Sequence, residues 1–241
     1  MKCVILLSGG LDSCVSAALA RRRCKNLFAM TISYGQRHAR EIESAKRIGE
    51  FLGVEEHKFI DIDPELFISS SLVNEKMKME ERGVEEIGRG IPSTYVPARN
   101  TVFLSFALAF AESRDADFIY IGVNAIDYSG YPDCRPEYIE AFQRVIDLGT
   151  KRGVEGKSIR IETPLINMRK REIIETGIRI GAPLHLTWSC YAGKEKACGK
   201  CDSCKLRLKG FMDAGYRDPI EYETYPEWYD YKKLKPFKFP S

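Results

Sequence analysis

With 241 residues, 37 Lys plus Arg against 34 Asp plus Glu and a formal net charge of +3, the chain can bury a full core and carries no charge excess that marks a nucleic-acid binder. No apolar run approaches the ~18 residues of a membrane span, and the first residues form a buried-strand pattern rather than a cleavable leader. A cytoplasmic protein with no membrane partner and no direct nucleic-acid partner is expected.

The chain opens on the apolar run Cys3–Leu7, of strand length, followed by Ser8-Gly9-Gly10-Leu11-Asp12-Ser13 and an Ala-rich stretch of helix length. That order is strand, phosphate loop, helix. Gly9 and Gly10 let an anion approach the main chain. Ser8 and Ser13 add hydroxyls, and the helix start offers unpaired N–H groups. Asp12 can cap the helix or hold a magnesium ion that travels with phosphates. No Gly-Lys-Ser/Thr follows the glycines, so this is not a Walker A loop, and it is not G-x-G-x-x-G.

Asn26–Ser33 reads as a second buried strand ending in Tyr34-Gly35-Gln36-Arg37-His38. A helix follows to about Leu52, with Ile42, Ala45, Ile48 and Leu52 as its apolar stripe, and His57–Ile62 is a third strand. Alternating strands and helices at this spacing imply a parallel sheet covered on both faces, with ligands beyond the C-terminal strand ends. The first loop and Tyr34–His38 therefore share one mouth. Residues 68–95 are charged and glycine-punctuated, an insertion that is either a solvated loop or a lid.

Arg99 opens a helix through Ala111 that is apolar nearly all round and is expected to be buried. Phe118–Gly122 is a fourth strand, the polar loop 123–137 leads into an amphipathic helix to about Leu148, and Ser158–Glu162 is a fifth strand. The tail from Asp218, rich in Tyr, Pro and Lys, is expected to pack across the body or a partner subunit.

The eight cysteines split into a C-terminal group and the scattered Cys3, Cys14, Cys24 and Cys134, which fits a reducing compartment with one metal site better than a disulfide framework. Cys190, Cys198, Cys201 and Cys204 supply four soft thiolates at x7, x2 and x2 spacing, a set that suits one tetrahedral zinc ion. An iron–sulfur cluster is the rival, but a closed tetrad without other electron-transfer signs points to structural zinc. Cys3, Cys14 and Cys24 read as small core residues, and Cys134 as packing.

Ser-Gly-Gly-x-Asp-Ser resembles the PP-loop of the N-type ATP pyrophosphatases, which cleave ATP between its α- and β-phosphates. Together with Tyr34–His38, Val96–Asn100, the stretch Gly122–Glu137, Lys170-x-Glu172 and Thr187-Trp188-Ser189-Cys190 ahead of the cysteine cluster, it is similar to the 7-cyano-7-deazaguanine synthase family from residue 3 to about 213. The resemblance implies a parallel five-stranded α/β fold of the adenine nucleotide alpha-hydrolase type, with a PP-loop domain over residues 1–183. Residues 184–241 then carry the zinc segment and a tail packed on that domain. It implies a homodimer that turns 7-carboxy-7-deazaguanine, ammonia and ATP into a nitrile by way of an adenylated carboxylate and an amide. ATP, Mg2+ and Zn2+ are the implied cofactors.

On that resemblance Leu7, Ser8, Gly9, Gly10, Leu11, Asp12 and Ser13 cradle the pyrophosphate and Tyr34 borders the adenosine. Asp12, Ser13, Arg99 and Lys170 are the catalytic candidates, the last two supplying the positive charge a lysine-free loop lacks. Asp127, Tyr128, Tyr131, Asp133 and Arg135 carry the groups a guanine-like substrate needs. Arg135 is suited to its carboxylate, and either aspartate to its ring edge. A PP-loop enzyme that adenylates a tRNA base for thiolation is the alternative; it wants a catalytic cysteine pair and a basic RNA-binding extension, and neither stands out. A zinc-ribbon binding module leaves the 122–137 loop unexplained.

Overall fold

A computed structural model describes residues 1–35, 39–78, 83, 87, 90–124, 131–192 and 195–238. The strands β1 (Lys2–Leu6), β2 (Asn26–Ser33), β3 (Glu56–Asp61), β4 (Phe118–Tyr120) and β5 (Arg160–Glu162) form one sheet in the order β3-β2-β1-β4-β5. Every pairing is parallel, with Cys3 of β1 opposite Leu27 on one side and Phe118 on the other. The expected five-stranded parallel sheet is the one observed.

Alternation along β1 sends Cys3, Ile5 and Leu7 to one face and Val4 and Leu6 to the other, so a continuous apolar run serves two cores. On the first face the core holds α1 (Leu11–Arg23), Ala45 and Ile48 of α2 (Ala39–Leu52), Ile173 and Ile174 of α6 (Lys170–Arg179), and Phe211 of α7 (Asp202–Asp213). On the second it holds Leu104, Ala107 and Phe110 of α3 (Arg99–Ser113) with Ile139, Phe142 and Ile146 of α4 (Pro136–Gly149). The short α5 (Lys151–Val154) follows α4.

Two expectations need correction. Helix α3 is not buried all round: Leu104, Ala107, Phe110 and Ala111 face the core while Thr101, Ser105 and Phe106 are exposed, Phe106 by 39%. Thr101 and Ser105 mark its outer face, but the apolar residues around them follow no period that separates inside from outside. Second, Cys3 and Cys24 are core residues as expected but are joined as a disulfide, their Cα atoms 6.0 Å apart. That bond sits at the start of β1 and the end of α1, opposite the phosphate loop.

The stretch read as an insertion is partly packed. Ser70, Ser71 and Val73 are buried, and Val73 joins Tyr34, Phe67 and Val96 in a small cluster beside the sheet mouth. Much of its charged portion lies outside the described residues. The tail lies on the body of its own chain: Tyr222 and Tyr229 are buried, and the Phe237 ring stands 6.4 Å from that of Phe211. Among the described residues no helix is long and apolar enough to cross a membrane.

Candidate active site

The sheet order places β1 next to β4, the point where the chain reverses its direction of strand addition. Loops leaving two such neighbours diverge and leave a crevice beyond their C-terminal ends. A cavity of about 240 Å³ lies there, lined by residues 6–8 and 10–13 after β1, 121–124 after β4, and Tyr34, Arg99, Tyr131 and Lys170.

The phosphate loop is shaped by one glycine. Gly9 has φ +87°, and a Cβ there would overlap the Glu41 carbonyl oxygen, so only glycine lets α2 close over the loop. The Gly9 carbonyl accepts the Trp188 N–H at 2.9 Å, tying the loop to the cysteine segment. Ser13 Oγ donates to the Gly10 carbonyl at 3.0 Å and accepts from the Ser8 N–H and hydroxyl. Gly10, at the helix cap, has no side chain to offer. The N–H groups of Leu11, Asp12 and Ser13 are thus left to an incoming anion, with the positive end of the helix dipole behind them.

Two of the cations that line the cavity matter most, one of them at the loop itself. Lys170, the first residue of α6, is buried, and its Nζ donates to Asp12 Oδ1 and Oδ2 at 2.8 and 2.7 Å. Arg99 begins α3 and donates to the Tyr34 hydroxyl at 3.3 Å. Burial by itself lowers the Arg99 guanidinium, but Tyr34, Tyr131 and Cys134 outweigh it and hold the group above its ordinary value, so it stays charged.

The loop 123–137 is divided. Tyr131 lines the cavity, its hydroxyl 3.1 Å from Thr94 Oγ1. Asp133 is buried, and its Oδ2 accepts the Asn100 N–H at 2.9 Å, which fixes the first turn of α3. Arg135 is exposed, donates to the Pro132 carbonyl and does not line the cavity. Asp127 and Tyr128 lie outside the described residues.

Several lining residues had no site role in the sequence reading, although Asn124 and Trp188 stand inside the motifs that carry the resemblance. Asn124 hangs from the end of β4 with its amide N–H donated to the Met168 carbonyl at 2.7 Å. Trp188 carries the Arg40 guanidinium 4.1 Å over its ring. Glu41, in the first turn of α2, lines the cavity, and burial pushes its carboxyl up to about 7 against the pull of Arg99, with Cys190 adding to the rise. The signal was present: Glu41, Ala45 and Ile48 share one helix face, and an acid on a buried stripe is costly unless it has a use.

The four cysteines converge, with their Sγ atoms all within 4.8 Å of one another. Cys190 Sγ accepts N–H bonds from Ala192 at 3.3 Å and Cys198 at 3.2 Å, and Cys198 Sγ accepts from Lys200 and Cys201 at 3.4 Å each. Amides aimed at sulfur stabilise thiolates, so the donor set fits a soft, tetrahedral divalent ion. Gly199, at φ +74°, is pressed so tightly on the Thr224 carbonyl that a Cβ would overlap it. Behind the cluster Arg207 pairs with Asp218 at 2.7 Å, both side chains almost fully buried, and donates to Thr187 Oγ1 at 2.7 Å. Ser189, Tyr191 and Ser203 of this segment reach the cavity wall.

A family model described as queuosine biosynthesis protein QueC matches residues 2–215. A 7-cyano-7-deazaguanine synthase of Nostoc sp. is 52% identical over 223 residues, covering 92% of this chain and 97% of its own. One from Thermoplasma volcanium is 47% identical over 239 residues, covering 98% of each chain. Among solved structures, NMN synthetase from Francisella tularensis superposes with a TM-score of 0.47 at 18% identity, over 89% of this chain and 77% of that one.

Proposed function

The chain belongs to the QueC family of queuosine biosynthesis proteins and is an ATP-dependent ligase of the 7-cyano-7-deazaguanine synthase kind, and from that premise we propose how its cavity does the work. A carboxylate is a poor electrophile, so the deazaguanine carboxylate attacks the α-phosphorus of ATP, giving an acyl-adenylate and pyrophosphate. Ammonia displaces AMP to form the amide. A second adenylation on the amide oxygen, followed by loss of AMP, leaves the nitrile.

The main demand is to hold charge on phosphate oxygens as pyrophosphate departs. The unpaired N–H groups at the start of α1 meet the β- and γ-phosphates, and Lys170 stands at the same helix start beside Asp12. The combination of a bare helix N-terminus with a buried lysine at its first turn is the observation that carries this reading. Arg99 and Tyr131 flank the other side of the cavity, suited to the substrate carboxylate, and Tyr34 to the adenosine. The ring edge falls to the 123–137 loop. A magnesium ion entering with the nucleotide would be held by Asp12, which would then have to share its oxygens between the ion and Lys170. Zinc held by Cys190, Cys198, Cys201 and Cys204 would have all four positions filled by thiolates and would supply rigidity to the cavity wall rather than chemistry. The family resemblance further implies a homodimer.

Mass spectrometry of the product from 7-carboxy-7-deazaguanine, ATP and ammonium tests the proposal. The nitrile, with AMP and pyrophosphate, is the expected result. An accumulated amide limits the chain to the first half-reaction, and unchanged carboxylate rejects the reading.

A further inference from the structure

We propose that Glu41 is the base that takes a proton from ammonium inside the cavity and so releases ammonia to the adenylated carboxylate. This rests on the ligase reading above and names the residue that reading lacks. At neutral pH the nitrogen donor is almost entirely ammonium, which has no lone pair and cannot attack an acyl carbon. Some group close to the reacting carbon must therefore accept a proton.

The cavity wall narrows the choice. Among the described lining residues the acids are Asp12 and Glu41, and there is no histidine. Both oxygens of Asp12 are taken up by Lys170. Glu41 has no hydrogen-bond or ion-pair partner among the described residues. The cations of the wall are placed for negative groups: Lys170 stands at the phosphate loop, Arg99 is held charged, and Arg207 is paired with Asp218. A cationic co-substrate needs the opposite sign, and Glu41 is the acid left to provide it. Tyr34 and Tyr191 line the same cavity and add aromatic residues that attract a cation weakly.

Position supports the same role. The main chain of Glu41 packs on Gly9 of the phosphate loop, so its side chain starts next to where the nucleotide binds. Two charged groups act on its proton affinity besides burial. Arg99 favours the ionised form, Cys190 disfavours it, and Tyr34 is close enough to have its own hydroxyl raised by the carboxyl. Burial outweighs Arg99, leaving an acid that both gains and loses a proton near neutrality.

The step balances. An N–H bond of ammonium breaks, its proton going to a Glu41 carboxylate oxygen and its electron pair remaining on nitrogen. That pair forms the C–N bond as the C–O bond to AMP breaks, with those electrons leaving on the AMP phosphate. The nitrogen then sheds its extra proton to AMP or water, and Glu41 returns its own proton to solvent.

Glu41→Gln keeps the shape and removes the basicity. Hydroxylamine, a weaker base that is largely unprotonated at neutral pH, needs no such help and traps the same adenylate as a hydroxamate. With carboxylate and ATP saturating, the variant is expected to lose about 10²-fold or more of its ammonium-dependent turnover. Hydroxamate formation should stay within a few-fold of the unsubstituted enzyme. Glu41→Asp, tested in parallel, should recover part of the ammonium rate. Equal loss with both nucleophiles would make Glu41 a fold or nucleotide residue, and no loss with either would make it a bystander; both overturn the proposal. If the unsubstituted enzyme yields neither nitrile nor hydroxamate, the ligase reading itself fails and this inference goes with it.

Discussion

Asp12→Ala is expected to cost both turnover and stability, and Asp12→Ala combined with Lys170→Met to restore the stability alone. The Lys170 ammonium is buried against Asp12 at 2.7 Å, with side-chain exposures of 9% and 15%. Removing the carboxylate strands a charge in the largely buried cavity wall, at a cost of up to about 3 kcal/mol. For a chain of this size that lowers Tm by up to about 12 °C. Replacing the lysine with Met removes the stranded charge and leaves its volume filled. Turnover should fall by at least about 10²-fold in both variants, because the charge arrangement at the pyrophosphate is lost. Thermal unfolding alongside AMP release checks this. Full activity in the double variant would show that the pair only holds the fold.

Stripping the zinc should loosen the phosphate loop, although the loop contains none of the four cysteines. Cys190 lies two residues from Trp188, whose N–H is bonded to the Gly9 carbonyl at 2.9 Å. Ser189, Tyr191 and Ser203 form cavity wall within the same segment. Structural zinc contributes about 10–16 kcal/mol in small zinc peptides, so residues 188–206 are not expected to keep their shape without it. The sheet has its own cores on both faces and should persist. Chelation is therefore expected to weaken ATP binding by calorimetry at least about tenfold and to speed amide exchange over residues 8–13. Far-UV circular dichroism should largely remain. Unaltered ATP affinity after confirmed metal loss would mean that the cluster and the loop are mechanically separate. Iron in the purified protein would overturn zinc.

The parts of this site that sequence reveals are those made by neighbours in the chain. Strand, glycine turn and helix over Cys3–Ala20 are local, and so is the x7, x2, x2 spacing of the cysteines, hence both were legible. The bond between Lys170 and Asp12 spans 158 residues, and only the packing of α6 on α1 creates it. Spacing cannot show that Cys3 meets Cys24, since one lies on a strand and the other just past a helix end. Their position, away from the loop, also removes them as the catalytic pair that a thiolation enzyme would need. The outer face of α3 was hidden because its apolar residues have no period. Glu41 was legible in principle, because it shares the inward face of α2 with the buried Ala45 and Ile48.

Oxygen transfer from the substrate tests the central chemistry most directly. With 7-carboxy-7-deazaguanine labelled by 18O in both carboxylate positions, attack on the α-phosphorus moves one labelled oxygen into AMP when the acyl–oxygen bond later breaks. One 18O in AMP and none in pyrophosphate is the predicted outcome. Label in inorganic phosphate with formation of ADP, or AMP without label, would contradict adenylation at this loop.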